Sequence, residues 1–415
     1  MNSGQYVWDI GHIFLQPATL LWHIHLGFGE TAEASQKHIN TFATAVGMGL
    51  FYLLLLRLGI SRWLRVFATL AVMASGSLII LAPSSHMKLL AFPFVNASLL
   101  VLVGWEQRGR SDSDGGRTIR MVTGAVLLAV AASFLASALA TAPFAALAVL
   151  VARLREHASW RKALLSAVLF AAVCGMTFLF LACVGYALFT GTVPSLHGFT
   201  ASVTGKADLK PGGYGIVAGV ARLLFGTINN LILSPDLGSV LRAWILGDVP
   251  SLAPYRQVLA LQALPWLLTL GLVVMIYLAT IRAVLAGMPC LLLTAFLCGA
   301  QTWTMYYDLN DPEHWFQLTV PTVSLFLTLL PRWLTSLVLP PWAAMTAALN
   351  ILVYAVPYAA YPLTDHEAYL RRIFSTKDLL LFFDAYPGGP YLGFFDLPDV
   401  PKLALDAELY TELPT

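Results

Sequence analysis

The chain has 415 residues, 58% of them hydrophobic and only 11% charged, with a net charge of +2. A soluble domain carries roughly 25% charged residues, so this composition excludes a single soluble core and points to a polytopic membrane protein with no nucleic-acid partner. Several apolar runs approach the ~20 residues that cross the hydrocarbon as a helix, and their continuity, in place of alternation, argues against a closed barrel.

Residues 1–40 read as a first outer loop. Its apolar piece IFLQPATLLWHIHLGFG is interrupted by Gln16, Pro17, His23 and His25, which suits a helix lying in the interface with Trp22 and the histidines at headgroup depth. Spans are then expected near 41–57, 66–83, 88–105, 121–138, 140–152 and 163–189. The stretch 190–256 is the largest polar insertion. Its part IVAGVARLLFGTINNLIL is amphipathic enough to lie on the membrane or dip into it, and Arg222, Asn229 and Asn230 argue against a simple span. Further spans are expected near 258–281, 284–303, 317–331 and 334–358. The expected fold is therefore an all-α transmembrane bundle of about ten spans over residues 41–362. Interfacial helices occupy its outer loops, and residues 363–415 form a small C-terminal extracytoplasmic segment. Cys174, Cys183, Cys290 and Cys298 all fall inside apolar runs, where a thiol behaves as a small hydrophobe.

Orientation follows from the basic residues, because Lys and Arg of short loops stay on the cytoplasmic side. The turns after Leu56, Trp105, Ala152, Ile281 and Pro331 hold thirteen of the 24 Lys and Arg, whereas the short loops on the other side hold only Lys37 and Lys88. That places both chain ends outside, which calls for a translocated short tail or a helix upstream. It also places every histidine except His157 outside, so any chemistry faces away from the cytoplasm.

Three outer segments carry the candidate residues. In WDIGH, Asp9 and His12 would share a face of a helix, although Asp9 is equally suited to cap the helix that follows. In SSHMK, Lys88 is the only basic side chain of a very short outer loop. Standing alone it would snorkel to the headgroups, but beside two serines and His86 it is matched to a lipid phosphate. In DLNDPEHWFQ, Asp311 before Pro312 reads as a helix cap, which leaves Asp308, Glu313 and His314 over. A divalent cation could draw on these acids and histidines, but no diagnostic ligand spacing such as HExxH is present, and no metal ligand is assigned.

With these motifs in hand, the layout resembles the GT-C superfamily of integral membrane glycosyltransferases. WDIGHIFLQPATLLWHIHL is similar to the acidic first outer loop with its interfacial helix, SSHMKLLAFPFVNASLL to the next outer segment, and DPEHWFQLTVP to the late motif that precedes a span. Two features depart from the family: it normally has a helix ahead of the first loop, and it commonly has an arginine and tyrosine pair where this chain has His314 and Trp315. The resemblance implies transfer of a sugar from a polyprenyl-phosphate carrier to a hydroxyl of a glycan, lipid or protein, on the outer face of a bacterial inner membrane. It implies Asp9 as the base, His86 and Lys88 on the donor phosphate, and His12, Glu313 and His314 orienting the substrates. The competing expectations are a transporter or lipid flippase, which needs ionisable residues deep in the spans, and a non-catalytic scaffold.

Overall fold

The computed structural model describes residues 13–26, 32–82, 87–108, 114–156, 158–192, 227–228, 231, 256–306, 312–352, 380–383 and 402–405. Its helices are α1 (Leu15–Leu26), α2 (Ala32–Arg57), α3 (Arg62–Met73), α4 (Gly76–Leu81), α5 (Ala91–Arg108), α6 (Asp114–Phe134), α7 (Thr141–Arg155) and α8 (Trp160–Thr190), followed by α9 (Arg256–Leu285), α10 (Leu291–Tyr306), α11 (Pro312–Leu329) and α12 (Arg332–Asn350). Short 3-10 turns, Met87–Leu90 and Ala136–Ala140, lead into α5 and α7. Near the C-terminus, β1 (Leu380–Phe383) and β2 (Lys402–Leu405) pair in parallel, with Leu380 opposite Lys402.

Among the described residues, five helices are long and apolar enough to cross a membrane: Ala34–Arg57, Gly115–Phe134, Ala136–Arg155, Trp160–Leu188 and Ala263–Leu285. Shorter apolar helices run from Leu291 to Thr302 and from Phe316 to Leu329. Leu165, Phe180 and Leu188 of α8 remain 67%, 66% and 68% exposed. Such a surface is stable only against lipid or another apolar partner.

Within the described residues each run expected to span is largely helical, the end of the 334–358 run lying outside them, but the boundaries move for physical reasons. The 66–83 run is broken at Ala74 and Ser75, where Ser75 is extended (φ −61°, ψ 150°). The break leaves the Ala74 carbonyl without a helical partner, and Asn350 Nδ2 of α12 donates to it at 2.6 Å. A carbonyl released inside a bundle has no water to turn to and needs such a donor. The 284–303 run starts only at Leu291, because the preceding helix closes at Gly287. There φ is +79°, Gly287 N donates to Val284 O and Met288 N to Ala283 O, which is the pattern of a glycine-terminated helix. The long 190–256 insertion is not wholly peripheral: Thr227, Ile228 and Leu231 are buried, and Thr227 bonds to Tyr277 of α9 at 3.0 Å.

Glycines set the closest helix crossings, as expected where lipid gives no hydrophobic drive between helices. A Cβ on Gly47 would run into Phe92, and one on Gly124 into Leu102. Each crossing also carries a hydrogen bond to the glycine carbonyl, from Asn96 Nδ2 to Gly47 O at 2.9 Å and from Ser98 Oγ to Gly124 O at 2.8 Å. α5 is thereby locked between α2 and α6.

Candidate functional site

The two ends of the bundle differ in what their charges do. At the end holding the last turns of α2, α5, α7 and α9, charged groups are tied to structural partners. Arg117 forms a two-point pair with Glu156, both contacts at 2.7 Å, and its guanidinium lies 5.2 Å from the centre of the Trp105 ring. Arg155 donates to Val284 O at 2.5 Å and Met288 O at 3.3 Å, while the Glu106 carboxylate accepts from Leu291 N at 2.9 Å and Leu292 N at 3.2 Å. A cation thus sits on the carbonyl end of α9 and an anion on the amide end of α10, each opposing the local helix dipole. These charges clamp the α9–α10 turn, which is a sufficient reason for their presence.

At the opposite end, three distant parts of the chain come together. Ile13, next to His12, is fully buried, and Phe14 N donates to Ser133 O at 3.2 Å, fastening the entry of α1 to the end of α6. The Met87–Leu90 turn packs against α1, α2 and α6. Within it Leu90 clusters with Ile39 and Ala43 of α2, against Ala18 and Trp22 of α1 and Phe134. Phe94 of α5 stacks on Phe134 with ring centroids 5.5 Å apart. The third part is the start of α11: Phe316 meets Phe92 edge to face at 5.7 Å, and Gln317 Nε2 donates to Ser137 Oγ at 2.8 Å. Both members of that last bond are buried, so the register of α11 against the Ala136–Ala140 turn is fixed by a paired polar contact.

Of the residues expected to carry chemistry, Lys88 lies in the turn just described, and Glu313 and His314 lie in the first turn of α11, which begins at Pro312. Pro312 thus occupies the first helical position, where a missing N–H costs nothing. Asp9, His12, His86, Asp308 and Asp311 lie outside the described residues. The structure therefore brings to one end the chain that leaves His12, the turn that holds Lys88 and the turn that holds Glu313 and His314. Among the described residues no three His, Cys, Asp or Glu side chains are grouped as metal ligands.

Sequence reasoning assigns no role to Gln317, Ser137 or Gln36, all buried at this end. Gln317 was legible in principle, as the one amide in an otherwise apolar and hydroxyl-bearing helical run. Ser137 was not, because a serine inside an Ala-rich run carries no signal.

The described residues define a polytopic, α-helical membrane protein with a buried polar junction at one end. No family model, no curated protein and no solved structure matches the chain.

Proposed function

We propose that the chain is an integral membrane glycosyltransferase of the GT-C type, taking a sugar from a polyprenyl-phosphate carrier at the end of the bundle where α1, the Met87–Leu90 turn and the start of α11 meet. The observation that carries this reading is that three segments distant in sequence are anchored at the same end of the bundle: α1 to the end of α6 by Phe14–Ser133, the Met87–Leu90 turn by its contacts with α1, α2 and α6, and the start of α11 to α5 and the turn after α6 by Phe92–Phe316 and Gln317–Ser137. In this reading α2, the broken α3–α4 pair and α5 to α12 are ten crossings, and the basic end with Arg57, Arg117 and Arg155 faces the cytoplasm. The site then faces the periplasm or the exterior of a bacterial inner membrane.

The acceptor hydroxyl attacks the anomeric carbon of the donor. The new glycosidic C–O bond forms as the sugar–phosphate bond breaks, polyprenyl phosphate leaves, and the hydroxyl proton passes to the Asp9 carboxylate. Lys88 and His86 stabilise the departing phosphate, and His12, Glu313 and His314 orient the two substrates. The transporter and flippase readings call for ionisable groups along the crossings. The buried polar side chains of the described helices are instead amides and hydroxyls, Arg117 at the basic end being the one buried charge among them.

Purified full-length protein, incubated with polyprenyl phosphates carrying different sugars and with a mixed hydroxyl acceptor, should transfer at least one of them. Parallel reactions with a chelator decide whether a divalent cation takes part. Asp9→Asn should lower transfer by about 10²–10⁴-fold with an unchanged melting temperature. Absence of transfer from every donor, or full activity in the variant, refutes the proposal.

A further inference from the structure

Gln36 lies in the second turn of α2, near the end of the bundle just described. It is fully buried, and neither its Oε1 nor its Nε2 has a hydrogen-bond partner among the described residues. Several polar groups around it are paired. The neighbouring Ser35 Oγ is paired with His23 Nδ1 of α1 at 2.8 Å. One turn further into the bundle Asn40 is buried and its carbonyl accepts from Thr44 Oγ1 at 2.8 Å, and beyond it the Gly47 carbonyl accepts from Asn96. Ile39, three residues after Gln36 and on the same side of the helix, belongs to the cluster of Leu90, Ala18 and Trp22. Gln36 is therefore one turn outward from the junction of α1 with the turn that carries Lys88. In the same junction the Trp22 Nε1 donor is also buried without a partner among the described residues.

A buried amide with neither atom bonded is disfavoured at a position that an aliphatic side chain of the same size could fill, so its presence asks for a ligand. The groups left over define that ligand's chemistry. Gln36 offers one acceptor and a two-proton donor, and Trp22 adds a donor. A phosphate, which only accepts, would satisfy the donors and leave Oε1 unpaired. A sugar hydroxyl both donates and accepts, and two neighbouring hydroxyls match an amide edge in both directions.

We propose that Gln36, assisted by Trp22, binds hydroxyls of the sugar carried by the lipid donor and so determines which sugar is accepted. This rests on the glycosyltransferase reading and adds the residue that recognises the sugar, as distinct from its phosphate. The assignment ties a stability cost in the free protein to recognition in the bound one.

The test compares wild type with Gln36→Met, a near-isosteric change that removes the amide. Full-length protein in detergent is melted alone, with bare polyprenyl phosphate, and with polyprenyl phosphate carrying mannose, glucose, galactose or arabinose. Gln36→Met alone should melt higher than wild type. At least one sugar-bearing lipid should raise the wild-type melting temperature further than the bare lipid does, and that extra rise should vanish in the variant. In the transfer assay the variant's KM for that donor should increase at least tenfold, with kcat within about threefold and with selectivity among the four sugars lost. A lower melting temperature together with an unchanged sugar-dependent shift would mean that Gln36 is purely structural, and a wild type without any sugar-dependent shift also overturns the proposal. Failure of transfer with the sugar-dependent shift intact would instead sink the glycosyltransferase reading and leave sugar recognition by Gln36 standing.

Discussion

Gly299 of α10 offers a sharp test of how tightly the bundle is assembled. A Cβ built on it would lie 2.5 Å from Thr141 Oγ1 and 2.8 Å from Thr141 Cβ, and nearer still to Thr141 Cα. Carbon atoms in good contact sit about 3.5–4.0 Å apart, so Gly299→Ala needs α10 and α7 to separate by about 1 Å. A flexible side chain could yield, but here the obstacle includes backbone. Thr141 is also the first residue of α7, immediately after the Ala136–Ala140 turn whose Ser137 anchors Gln317 of α11, so separation strains that anchor as well. Overpacking of this kind costs about 1–3 kcal/mol, against a gain of about 1 kcal/mol when alanine replaces glycine inside a helix. Gly175→Ala in α8 and Gly271→Ala in α9 isolate the gain, because a Cβ at either position meets nothing within 4 Å. Thermal or denaturant unfolding in one detergent should show Gly175→Ala and Gly271→Ala at or above wild type and Gly299→Ala clearly below both. Equal stability of all three alanine variants would refute the crossing geometry of α7 and α10.

Two changes probe the opposite end. Arg117→Gln leaves Glu156 without its two-point partner in a place where the two side chains are only 6% and 17% exposed. The expected loss is about 3 kcal/mol, partly restored by adding Glu156→Gln; a single variant within ~0.5 kcal/mol of wild type would mean that water already reaches the pair. Glu106→Ala removes the carboxylate that accepts from Leu291 N and Leu292 N and should cost about 1–2 kcal/mol. Hydrogen exchange reads this directly, since the amides of residues 291 and 292 should lose protection while those of α6 keep theirs. Unchanged protection at 291 and 292 would show that Glu106 does not hold the start of α10.

The candidate site was legible only in part. Asp9, His86, Lys88, Glu313 and His314 stand out as candidates because ionisable groups are rare in this chain and lie beside apolar runs; of these, Lys88, Glu313 and His314 are among the described residues. Gln36 was not, since an amide near the start of a span usually faces headgroups or solvent. Its burial arises from packing between elements, which no local pattern records. Arg155 and Glu106 show the converse: as residues of polar turns they read as loop charges marking the cytoplasmic side, and their structural work became visible only when the ends of α9 and α10 were seen to lie against them.

What the sequence determined by itself was the helical, membrane-spanning class and the approximate course of each apolar helix. Water and lipid act on the chain segment by segment, and an apolar run of about 20 residues meets that demand alone as a helix. What only the tertiary structure decided was the break at Ala74 and Ser75, the burial of Thr227, Ile228 and Leu231, and the anchoring of α1, the Met87–Leu90 turn and α11 at one end of the bundle. Each of these depends on a partner distant in sequence: Asn350 for the Ala74 carbonyl, Tyr277 for Thr227, and Ser137 for Gln317. Pairing of that kind is fixed by the geometry of packed helices, and the sequence of one partner says nothing about where the other will be.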